Sequence, residues 1–148
     1  MMVVIHTLGS LLSYLAFLIA FLSGMLFLIQ ERQVKRQTIG ILFRRLPSLE
    51  TLDHVNFLAI GIGFWLLTLG VICGLVGSRE LLGRWWTQDP KAYLTVLLWA
   101  SYLGLWLMRL RSTLRGRRVA LLSVLGFSLV LFTFLGVSRV APSLHPYL

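Results

Sequence analysis

Apolar positions are gathered into four long runs separated by short polar stretches. The first extends from Met1 to Gln30 and is interrupted only by the ionisable His6; the others are Val55 to Ser78, Ala92 to Met108 and Val119 to Ser138. About 20 apolar residues in a helix cross the roughly 30 Å hydrocarbon core, and the third run sits at the short end of that range. Inside lipid the backbone must satisfy its own hydrogen bonds, so each run is expected to be a helix. The pattern predicts an all-α membrane protein. One domain, 1–148, would hold four transmembrane helices in a bundle, over about 5–30, 55–78, 92–108 and 119–138. A cleaved secretory leader is the other way to read the first run. No basic residue precedes it, and it is too long for the apolar part of a leader.

Composition agrees. The chain is 57% hydrophobic and 13% charged, where a soluble domain carries about 25% charged residues. That excludes a soluble enzyme domain, a disordered chain and, with Cys73 as the one cysteine, a disulfide framework. The net charge of +9 changes the picture through its distribution. Arg32, Lys35, Arg36, Arg44 and Arg45 lie between runs one and two, and Arg109, Arg111, Arg115, Arg117 and Arg118 between runs three and four. The connection between runs two and three holds Arg79, Arg84 and Lys91, and the tail holds Arg139. Ten basic residues against four place the first group in the cytoplasm, so both termini and the 79–91 loop face outward, on the periplasmic side of a bacterial inner membrane. Nucleic-acid binding is the other use of such charge, but no recognition motif or interleaved aromatics accompany it.

In the connection from Glu31 to Asp53, Ile39, Ile41, Leu42 and Phe43 suit the headgroup layer, and Ser48 or Thr51 can cap the second helix. Small residues mark close helix approach: Gly70 and Gly74 as a G-x-x-x-G step, Gly9 and Ser13 with the same spacing, Gly61 and Gly63, and Gly126 and Ser128. They serve packing within the chain, or form a face for another subunit or a flat cofactor.

Of the histidines, His54 beside Asp53 suits an interfacial or capping position. The topology brings His6 and His145 to one membrane face, where two imidazoles could hold a haem iron from opposite sides. The loop Gly83-Arg84-Trp85-Trp86-Thr87-Gln88-Asp89-Pro90-Lys91 lies on that face. An interfacial aromatic belt accounts for adjacent tryptophans; so does a flat platform for a porphyrin, with Arg84 and Lys91 at its propionates. Asp89 could accept a hydrogen bond from a histidine and so orient it, or cap the third helix.

The loop resembles the tryptophan-rich "WWD" signature of the CcsA-type cytochrome c assembly proteins and their HemX-like relatives, matching at Gly83, Trp85, Trp86, Asp89, Pro90 and Lys91. Further similar stretches are QER at Gln30–Arg32, LPSLETLD at Leu46–Asp53, LTLGVICG at Leu67–Gly74, LFTFLGV at Leu131–Val137 and PSLHPY at Pro142–Tyr147. The resemblance covers nearly all of this chain but only the C-terminal part of a usual member. It implies that the loop presents haem at the outer face, that His6 and His145 are its axial ligands, and that the haem is b-type and non-covalent. It also implies partners: other membrane subunits, a CcsB-like protein, and cytochrome c. Gln88, Ala92 and Leu94 depart from the signature, and the family's N-terminal helices and intramembrane histidines are missing. A haem-holding protein is therefore expected rather than a complete export route. A structural subunit packing within a larger complex is the alternative. Neither an enzyme nor a transporter is expected: Glu31, Glu50, Asp53, Glu80 and Asp89 form no outward-facing pair for acid–base work, and no charge lies within a run.

Overall fold

A computed structural model describes residues 2–37, 45–83, 85, 90–111 and 116–140, with the side chains of 2–3, 82, 90–91 and 133–140 outside the description. From Met2 onward each apolar run lies within one helix: α1 (Met2–Lys35), α2 (Leu49–Leu82), α3 (Pro90–Leu110) and α4 (Arg117–Val140). Among the described residues three of them, over Val4–Lys35, Leu49–Leu81 and Ala92–Leu110, are long and apolar enough to cross a membrane.

The second helix reaches beyond its apolar run, with Ser48 and Gly83 capping its ends. Ser48 is the N-cap of α2, its Oγ accepting from the Thr51 N–H at 3.2 Å, so Asp53 and His54 fall inside the helix. At the other end the chain stays helical past Ser78, through Arg79 and Glu80, until Gly83 turns left-handed at φ 65° and donates its N–H to the Arg79 carbonyl. Proline opens α3, a favoured first position because its missing N–H has no helical partner there. At 34 residues each, α1 and α2 are about 50 Å long and exceed the hydrocarbon thickness.

Neighbours in sequence pack antiparallel, and α4 closes the ring against α1. Phe17, Ala20, Ile60, Phe64, Leu67, Tyr102, Val119 and Phe127 form the buried core, with the Phe17 and Tyr102 rings stacked at 3.7 Å. Glycines set the spacing. A Cβ on Gly63 would stand 2.5 Å from the Phe17 ring, and one on Gly24 3.1 Å from the Ala120 carbonyl oxygen. Gly9 meets the backbone of Gly70, Gly61 meets Trp106, and Gly126 meets Tyr102. Gly70 and Gly74 thus lie at a helix contact, as their spacing predicts, and Ser13 is buried. Ser128 does not share that role: it is exposed and its hydroxyl turns back to the Val124 carbonyl of its own helix, since α4 faces its neighbours with Ser123, Phe127 and Val130 instead.

Polar side chains tie the helices where water is excluded. Asn56 Nδ2 donates to the Ala20 carbonyl at 2.6 Å, and its amide atoms lie 3.1 and 3.2 Å from Ser123 Oγ, joining α1, α2 and α4. Trp99 Nε1 donates to Thr68 Oγ1 at 2.9 Å, joining α2 and α3. Leu11, Leu15, Leu22, Leu69, Ile72, Leu125 and Phe132 face outward, which suits helices bathed in lipid.

Candidate functional site

At one end of the bundle the first turns of α1 lie against the second half of α2. His6 is half-buried there. Its Nδ1 is 2.6 Å from the Gly70 carbonyl oxygen. A carbonyl only accepts, so Nδ1 carries the proton and donates it. The same ring edge rests on Gly74, where a Cβ would come within 2.9 Å of Nδ1 and 3.0 Å of Cε1. The G-x-x-x-G step is therefore the seat of the imidazole as well as a helix contact.

Beyond Gly83, Trp85 is exposed, and the Arg79 guanidinium lies over its ring at 4.2 Å. That geometry holds the tryptophan by attraction between the cation and the ring face. Arg79 was not singled out by sequence reasoning, because the apolar run stops at Ser78 and hides the extra turn of helix that brings the two together. Arg84, Trp86, Asp89, His145 and the Lys91 side chain lie outside the described residues, as do Ile39, Ile41, Leu42 and Phe43. The direction of α4 bears on His145: Gly24 meets Ala120 and Phe21 meets Phe127, so α4 runs antiparallel to α1 and ends toward the His6 end. Among the described residues no group of three His, Cys, Asp or Glu could hold a metal ion.

The opposite end holds a second polar cluster. Arg109 at the end of α3 grips Asp53 with both terminal nitrogens, at 2.8 and 2.5 Å, and reaches its main-chain carbonyl at 3.3 Å. The Gly116 N–H adds to the same carboxylate at 3.3 Å. Gly116 sits at φ 62°, a left-handed conformation in which glycine carries no Cβ penalty. Glu50, Thr51, His54 and Phe57 border this pair in an open cleft. His54 is exposed on it, at the interfacial position its sequence context suggests. The pair ties α2, α3 and the start of α4 together, its two charges engaged with each other. Asp53 and Arg109 are 56 residues apart, and nothing local in the sequence links them.

A sequence model of the family described as "Cytochrome C assembly protein" matches residues 1–145. The chain belongs to the cytochrome c assembly family. Relatives include the cytochrome c biogenesis protein CcsA of Crocosphaera subtropica, 37% identical over 84% of this chain and 37% of that protein. The CcsA proteins of a Synechococcus strain and of Synechocystis are 42% and 37% identical over 73% and 79% of this chain. The chain spans about a third of the length of these relatives. No solved structure matches. Family and apolar helices together make it a multi-pass membrane protein, in bacteria one of the cytoplasmic or thylakoid membrane.

Proposed function

We propose that the chain handles haem for cytochrome c assembly. In this reading it holds a non-covalent, b-type haem at the outer, periplasmic face of a four-span bundle, with spans at about 5–30, 55–78, 92–108 and 119–138. His6 and His145 would ligate its iron. Trp85 and Trp86 cover the porphyrin, Arg84 or Lys91 meets a propionate, and Asp89 orients a histidine or caps α3.

The observation that carries this reading is the state of His6. Metal-ligating histidines commonly donate one ring N–H to a backbone carbonyl or carboxylate and ligate through the other nitrogen. His6 has its Nδ1 committed to Gly70, which leaves Nε2, on a half-buried ring, as the ligating atom. That donor chemistry fits a haem iron, which when bound supplies two axial positions for imidazole nitrogens. The course of α4 supports the second ligand, since that helix runs antiparallel to α1 and ends toward the His6 side. The ten-to-four split of basic residues supports the orientation, with cytochrome c, a CcsB-like protein and other membrane subunits as partners. The family membership supports the destination of the haem.

The test is the absorption spectrum of the protein purified from its own membrane. A Soret band with low-spin α and β bands is expected, lost or turned high-spin in His6→Ala and in His145→Ala. A haem-free native complex would sink the reading and leave a structural subunit in its place. Cysteine labelling, with Cys73 first replaced by Ser, should reach both termini from outside and Lys35→Cys from the cytoplasm; the reverse pattern would overturn the placement of the site.

A further inference from the structure

The His6 seat has a feature that helix packing alone does not require. In an α-helix the carbonyl of residue 70 accepts from the N–H of residue 74, and the side chain at 74 would normally crowd the flank of that carbonyl. Glycine at 74 removes the crowding. A Cβ there would stand 2.9 Å from His6 Nδ1, closer than such contacts allow, so any other residue would push the ring off the Gly70 oxygen. Glycine at 70 does the complementary work. Its own Cβ would meet Ser10 Oγ at 3.0 Å, so without one α1 comes near enough for the imidazole to reach a main-chain atom at 2.6 Å. The oxygen thereby accepts a second hydrogen bond inside an apolar environment, where such a bond has little competition from water.

We propose that Gly70 and Gly74 are positioning residues for haem ligation. The Gly70 carbonyl fixes His6 as the tautomer protonated at Nδ1, and the bare flank at Gly74 admits the ring, so that Nε2 is presented to the iron before haem arrives. This rests on the reading of His6 as a ligand, and goes beyond it by assigning the atom and what holds it. Partners that orient a metal-ligating histidine typically change metal affinity by about 10–100-fold when lost.

The test has two readouts on the full chain. In the haem-free protein, nitrogen-15 NMR of the histidine rings, with His6 assigned by its loss in His6→Ala, should show Nδ1 protonated and Nε2 bare. In Gly74→Ala the ring should lose that single tautomer. Titration with ferric haem b should then give affinity weakened about 10–100-fold in Gly74→Ala, with part of the low-spin spectrum converted to high-spin. Gly9→Ala adds a methyl to the same helix contact at ordinary packing distance, its three nearest neighbours being the Leu66 oxygen at 3.5 Å and the Gly70 Cα and N at 3.7 Å. It should keep the tautomer and bind within about twofold of wild type. If Gly9→Ala weakens binding as much as Gly74→Ala does, general packing is the cause and the positioning role is overturned. The same follows if Gly74→Ala binds as wild type, or if wild-type His6 is protonated at Nε2 alone, while His6→Ala abolishes binding. Unchanged low-spin binding in His6→Ala is a different failure, since it removes His6 as a ligand altogether.

Discussion

The two ends of the bundle solve the same problem in opposite ways. At the Asp53 end, opposite charges are brought together. Asp53 takes both arms of Arg109 and the Gly116 N–H, and one turn further in Asn56 is shared between the Ala20 carbonyl and Ser123. At the His6 end, polar chemistry is spare: one imidazole with one nitrogen engaged, two glycines beneath it, and an exposed tryptophan steadied by Arg79. An ion pair and a shared amide of this kind hold helices together and have their own groups engaged, although Gln30 and Gln33 on α1 each bury a side-chain oxygen without a partner. A group half-satisfied by design of its seat is where binding chemistry belongs. The difference teaches that polarity inside a membrane bundle has to be sorted by what remains unengaged.

That contrast is open to direct attack. Arg109→Met leaves the Asp53 carboxylate without its cation in a partly buried place. Breaking such a pair destabilises by about 3 kcal/mol or more, so the largest fall in thermal midpoint in detergent is expected here, with haem binding by the folded fraction unchanged. A fall in haem affinity at equal folding would couple the two ends and blur the distinction. Gly63→Ala comes next. Its methyl would collide with the Phe17 ring at 2.5 Å, and overpacking of this kind typically destabilises by about 1–3 kcal/mol. Unaltered stability would show that Phe17 has room to turn away. Asn56→Leu is the mildest of the three. Interhelical hydrogen bonds in membranes average about 0.6 kcal/mol, so a small loss of stability is expected by the same thermal assay, and a large one would mark Asn56 as holding α4 in place.

How much of this was legible in the sequence depends on distance along the chain. The helices were, because hydrophobic runs are local; their true ends were not, since Ser48, Gly83 and their hydrogen bonds decide them rather than hydropathy. Gly70 and Gly74 stood out as a helix contact, yet spacing could not say that His6 would fill it from 64 residues away. Asp53 and Arg109 were visible only as a neighbour of His54 and as one of ten basic residues, because an ion pair across helices leaves no periodic trace. Trp85 was singled out for its motif, while its partner Arg79 was hidden by a polar step that breaks the apolar run but not the helix.

The central claim is that His6 supplies an axial nitrogen to haem. The most direct measurement is pulsed electron paramagnetic resonance on the ferric protein, loaded with haem b and labelled with nitrogen-15 at histidine. A low-spin signal coupled to two equivalent labelled imidazole nitrogens is expected, one of which disappears in His6→Ala. A low-spin signal with both couplings intact in His6→Ala, or a wild-type protein whose haem shows no histidine coupling, would contradict it.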